Sequence, residues 1–232
     1  MVHVKVRKKD EELKRIAPSV KSIVDIAEDV VAENAGTAFG IRHNVNLYLG
    51  DKQRFANNPR SGKMYIQYRG INAAARGEDI QNLYISGILH EVGHSYLKIE
   101  NSLRRAKESI ASEALANAFA LVLMDDVCAR LDKNAWLVRN DYPNREKKWY
   151  AEVFRDTKTL LYPLEATRFL MNTMDKRSLF DMIRRFNLKH KTYTQFLEIL
   201  EGVLGGKAKE GFSRMMDSFD LEQYAVKYKK KV

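Results

Sequence analysis

Apolar positions recur along this chain with two different periods. From residue 9 to 34, Leu13, Ile16, Val20, Ile23, Ile26, Ala27, Val30 and Val31 fall three and four apart, the spacing of one buried helix face. Pro18 interrupts that stretch; having no N–H to donate, it is expected in the first turn or at a break. Two later segments switch to a period of two. Val45, Leu47 and Leu49 alternate with Asn44, Asn46 and Tyr48, and Met64, Ile66 and Tyr68 alternate with Tyr65, Gln67 and Arg69, as half-buried strands do. Asn57, Asn58, Pro59, Ser61 and Gly62 between them read as a turn-rich connection. From about residue 80 the helical period runs almost to the end, predicting helices near 81–99, 108–126, 145–173, 176–187, 192–203 and 209–228.

Two of these helices depart from an ordinary amphipathic pattern. In the first, Ile85, Ile88, Leu89, Val92, Tyr96 and Ile99 make the apolar stripe, and His90 and His94 lie on the side away from it with Ser86 and Gly87. In the second, from Ile110 to Met124, only Ser112, Glu113 and Asn117 are polar. Such a helix is expected to be buried nearly all round. A carboxylate there costs several kcal/mol, roughly, unless a cation or hydrogen-bond donors meet it.

His90-Glu91-Val92-Gly93-His94 supplies that cation's other ligands. Histidines four apart on a helix share a face, so both imidazoles reach one ion. Glu91 stands about 100° round the helix from His90, near enough to take a proton from a water at the metal without being a ligand. Glu113 is the expected third ligand, with Glu108 the next candidate. The eighteen residues 95–112 between His94 and Glu113 suffice to end one helix and bring back a second. Asn117, four residues after Glu113, suits a group that hydrogen-bonds a ligand and fixes its orientation. Two imidazole nitrogens and a carboxylate, with one position left open, are a donor set for catalytic zinc, Zn2+.

His-Glu-x-x-His followed by eighteen residues and a glutamate on a later helix resembles the gluzincin metallopeptidases. Glu113-Ala114-Leu115-Ala116-Asn117-Ala118-Phe119-Ala120 is similar to the Glu-x-x-Ala-Asn-x-Phe-Ala signature of the ImmA/IrrE-type peptidases, in which glycine also commonly precedes the second histidine, as Gly93 does here. The likeness covers residues 64–124. It implies an α+β, zincin-like fold: a small mixed sheet, the two metal-bearing helices, and a mostly helical C-terminal region. It also implies a peptide or protein substrate lying antiparallel to an edge strand ahead of the metal helix, a place that Met64, Tyr65, Ile66, Gln67 and Tyr68 would fill. An ImmA/IrrE-like enzyme would cleave a DNA-binding repressor inside the cell. The Gly-x-Met-x-Asn element of the related aminopeptidases is absent upstream of His90, which favours an endopeptidase.

Composition narrows the setting. Lys and Arg number 40 against 30 Asp and Glu, a net charge of +10. A basic surface admits an acidic or nucleic-acid partner, although the charge is spread along the chain and the run Lys227, Lys229, Lys230 and Lys231 reads as a solvated end. No apolar stretch is long enough to span a membrane. The single Cys128 excludes an internal disulfide, so a cytoplasmic protein is expected. Two parts are expected, a metal-binding core over 1–130 and a helical subdomain over 131–232. Tyr142, Tyr150, Tyr162 and His190 are candidates to stabilise an oxyanion, whereas His3 and His43 read as structural or incidental. The rival to a peptidase is an inactive zincin acting as a zinc-stabilised module that binds protein or nucleic acid. Glu91 is the residue such a module would not need.

Overall fold

The computed structural model describes residues 2–6, 11–49, 54–58, 63–68, 80–99, 106–131, 161–222 and 224. Strand β1 (Val2–Val6) leads into the long helix α1 (Glu11–Ala35), followed by β2 (His43–Leu49), β3 (Arg54–Asn58) and β4 (Lys63–Tyr68). Helices α2 (Ile80–Tyr96), α3 (Ala106–Arg130), α4 (Leu161–Thr173), α5 (Lys176–Phe186), α6 (Tyr193–Leu204) and α7 (Gly206–Asp217) complete the order. The mixture of small sheet and predominant helix agrees with the α+β expectation.

The strands form one sheet in the order β1-β2-β4-β3. β1 pairs with β2 and β2 with β4, both in parallel, while β3 runs antiparallel along β4. A parallel pair requires a crossover, and α1 makes it between β1 and β2, packing on both. Its stripe Leu13, Ile16, Val20, Ile23, Val24, Ala27, Val30 and Val31 is buried. On the sheet, Val45, Leu47, Met64 and Ile66 are buried as their alternation predicts, while Asn44 and Lys63 are exposed.

Several expectations are corrected. Pro18 neither starts nor ends a helix but lies inside α1. Loss of one ladder bond and the ring's steric clash cost about 3 kcal/mol, which burial of the long apolar stripe offsets. Asn57 and Asn58 belong to β3 rather than to a turn, and β1 is a strand that the sequence pattern does not predict. The segment Met64–Tyr68 is not at the edge of the sheet. β4 is paired on both sides, with Asn44–Leu49 and with Arg54–Asn58, so its main chain has no hydrogen bonds left for an added peptide strand. β1 and β3 hold the edges. Helix α2, expected to reach residue 99, stops at Tyr96; Ile99 instead bridges to Lys191. Helix α7 ends at Asp217; Leu221, Glu222 and Tyr224 are helical again after a break at 218–220, and the predicted stretches 145–160 and 225–228 lie outside the described residues.

The chain divides into two units, although not at residue 130. One comprises Met1–Ser95 and Phe119–Arg145; the other comprises Tyr96–Ala118 and Glu146–Val232. The boundary cuts α3, whose two halves have different neighbours. Arg130 near its C-terminus makes a bidentate pair with Glu33 of α1, at 2.8 and 2.7 Å. In the N-terminal half, Lys107 pairs with Asp217, and the Ser109 hydroxyl lies 3.2 Å from that of Tyr224. A single 25-residue helix therefore serves two packing environments.

Within the second unit, α4 packs on α7, α5 on α6 and α6 on α7. Phe212 meets Phe169 and Phe196 edge-on, with ring centres 5.6 and 5.3 Å apart. Asp175 caps α5 by accepting from the Ser178 N–H, and Thr192 with Gln195 forms a reciprocal capping box on α6. Among the described residues no helix is long and apolar enough to cross a membrane.

Candidate metal centre

Helices α2 and α3 each contain a window that is buried nearly all round. Between residues 85 and 97 every position is buried except His90 and His94. Between residues 108 and 120 every position is buried except Glu113. Small residues allow this close enclosure: Gly87 and Gly93 on α2, and Ala111, Ala114, Ala116, Ala118 and Ala120 on α3. Glycine within a helix costs about 1 kcal/mol relative to alanine, and both glycines here are buried. The three expected ligands are thus the most open positions of these two windows.

The two imidazoles converge through one nitrogen each. His90 Nε2 and His94 Nε2 are 3.1 Å apart, with ring centres at 4.7 Å and planes at 90°. Two nitrogens, each about 2.05 Å from a tetrahedral ion, stand roughly 3.3 Å apart, so the observed spacing is close to that of a shared ion. A ligand atom of Glu113 completes the group, all three lying within 4.8 Å of one another. No other such group of three occurs among the described residues. The donor chemistry fits a transition-type divalent ion, because imidazole nitrogen is a poor ligand for magnesium or calcium. Glu108 is buried and stands outside the group.

Glu91 is only 4 % exposed. A carboxylate so enclosed is costly to keep charged unless a counter-charge or hydrogen-bond donors meet it. Asn117 is likewise buried, and its Nδ2 donates to the Thr167 hydroxyl of α4 at 3.3 Å. Thr167 in turn donates to the Pro163 carbonyl at 2.7 Å. No sequence motif marks Thr167; its hydroxyl acquires meaning only when α4 is packed.

The remaining candidates divide clearly. Met64 and Ile66 are fully buried on the core face of β4 and Tyr65 is half-buried; the side chains of Gln67 and Tyr68 lie outside the described residues. Tyr162 stacks on Phe219 with ring centres 4.3 Å apart, and its hydroxyl accepts from the Asp220 N–H at 3.2 Å, which fastens the segment after α7. His190 is exposed between α5 and α6, and Tyr142 and Tyr150 lie outside the described residues. His3 is exposed on β1. His43 is 1 % exposed, with Nε2 at 3.0 Å from Glu28 Oε1, within ion-pair distance though not aligned as a hydrogen bond.

Comparison with protein-family models, with curated proteins and with solved structures found no match to this chain.

Proposed function

We propose that this protein is a zinc-dependent peptidase of the gluzincin type, an intracellular endopeptidase in which His90, His94 and Glu113 hold the metal. The observation that carries the reading is the pattern of exposure. On two helix windows buried elsewhere, the three most open positions are two imidazoles and a carboxylate whose ligand atoms converge. Zinc, when bound, supplies a Lewis acid that makes water acidic near neutral pH and polarises a carbonyl.

Glu91 does the proton work. One residue along from His90, it accepts a proton from the water that attacks the scissile carbonyl carbon. It then delivers that proton to the amide nitrogen as the C–N bond breaks, leaving a carboxylic acid and an amine, which become carboxylate and ammonium once the acid's proton passes to the amine. Its burial keeps bulk water from competing for the proton. Asn117 steadies the ligand face of α3. An extended peptide would add to the sheet at β3, Arg54–Asn58, rather than at the interior strand β4.

Glu91→Gln tests the assignment, since it preserves shape and removes the base. The variant is expected to retain one zinc per chain, measured by elemental analysis, while cleavage of a denatured protein substrate falls by roughly 10²- to 10⁴-fold. Undiminished cleavage would remove Glu91 from the reaction. A wild-type protein that binds zinc yet cleaves nothing would point instead to a zinc-stabilised binding module.

A further inference from the structure

Thr167 and Asn117 form a directional buried pair whose sense can be worked out from the donors available. Thr167 is 1 % exposed and Asn117 is 7 % exposed. A threonine hydroxyl carries one hydrogen. Here it is committed to the Pro163 carbonyl, one helical turn back in α4, at 2.7 Å. Toward Asn117 the Thr167 oxygen can therefore only accept. That requirement settles which way the amide lies, a choice that atomic positions alone leave ambiguous. The Asn117 nitrogen faces Thr167 at 3.3 Å.

On α3, Asn117 lies one turn beyond Glu113, so the two side chains share a face. The Glu113 carboxylate can accept an N–H but cannot donate one. Thr167 fixes one N–H of the Asn117 amide, and with it the orientation of a side chain that shares its helix face with Glu113. We infer that Thr167 is a positioning residue for the metal centre: through Asn117 it sets the orientation in which the Glu113 carboxylate meets the ion. This rests on the metal assignment proposed above. The role is remote, since Thr167 reaches the ion through two other side chains and touches neither ion nor substrate.

The test separates affinity from folding. Zinc dissociation constants are measured for the full-length protein by competition with a chromophoric chelator, and stability of the metal-free protein by urea unfolding. Thr167→Val keeps the volume and removes both hydrogen-bonding functions. It is expected to weaken zinc binding about tenfold, the lower end of what loss of a ligand's supporting hydrogen bond produces. Thr167→Ser, which restores the hydroxyl, should return affinity to within about twofold of wild type. Asn117→Ala should weaken zinc as Thr167→Val does, and the double variant should add little further, because both act through one path.

Should the valine variant not fold, Thr167→Ala gives the same comparison with less crowding at the Pro163 carbonyl. Unchanged zinc affinity in a variant lacking the hydroxyl, with only metal-free stability reduced, overturns the inference and makes the pair a packing contact. Failure of the wild-type protein to bind zinc would overturn the metal assignment itself, an outcome visible before any variant is made.

Discussion

Helices α2 and α3 obey a different rule from α5, α6 and α7. The C-terminal helices each bury one face and expose the other. α5 buries Leu179, Phe180, Met182, Ile183 and Phe186 while Arg184 and Arg185 reach solvent; α7 buries Ala208, Phe212 and Met216. Polar residues there mark where water is, and carry little further information. Within 85–97 of α2 and 108–120 of α3 the surroundings are closed, so each polar residue there needs a partner. His90, His94 and Glu113 meet one another's ligand atoms, and Asn117 meets Thr167. Polarity on an amphipathic helix is the default; polarity on an enclosed one is a clue to chemistry.

If the contrast holds, the two regions respond to different perturbations. The largest effect belongs to the apolar cluster of the C-terminal helices. Phe212→Ala, which empties a fully buried ring site between Phe169 and Phe196, should cost about 3–5 kcal/mol in urea unfolding. A loss below about 1 kcal/mol would mean that these helices do not depend on that cluster.

Chelation is expected to act on the other region. At free zinc about 100-fold above its dissociation constant, metal binding adds roughly 2.7 kcal/mol to stability, and a chelator removes it. Hydrogen exchange should then quicken in α2 and α3 and stay unchanged in α5. Equal quickening throughout would erase the distinction between the two.

A smaller change is expected at the α6 cap. Thr192→Ala removes the acceptor for the Gln195 N–H, 3.3 Å away, and should cost about 1 kcal/mol without altering zinc affinity.

Tyr193→Phe should do least at neutral pH. The hydroxyl is buried without a hydrogen-bond partner among the described residues, so its removal is expected to be neutral or slightly stabilising. Its signature is alkaline. Burial, and then the nearby carboxylates of Asp217 and Glu108, push the Tyr193 phenol above its ordinary value. The folded state thus favours the neutral phenol. Its contribution is complete below about pH 10 and is lost as pH rises beyond that, where the unfolded chain releases its proton first. In Tyr193→Phe the alkaline decline should be shallower; an identical decline would assign it to other groups.

Much of this was written along the chain in one dimension. The α1 stripe, the alternation of Val45 with Leu47 and of Met64 with Ile66, and the His-Glu-x-x-His spacing with a lone acid in an apolar helix are local patterns. Local geometry converts them directly into faces and turns. The edge strands were less legible. β1 is a five-residue strand beside a cluster of charges, and β3 reads Arg-Phe-Ala-Asn-Asn, with no apolar alternation. It is a strand because β4 offers it hydrogen bonds, and pairing of that kind is non-local.

Sequence by itself determined which residues could be ligands, since residue type and helical spacing decide whether two imidazoles can share a face. Tertiary structure alone decided that Pro18 could lie within a helix, that β4 would be interior and β3 at the edge, and that Thr167 would stand behind Asn117. Each of those outcomes depends on what a distant segment places alongside, and the free energy of burial and pairing belongs to both partners rather than to either stretch of chain.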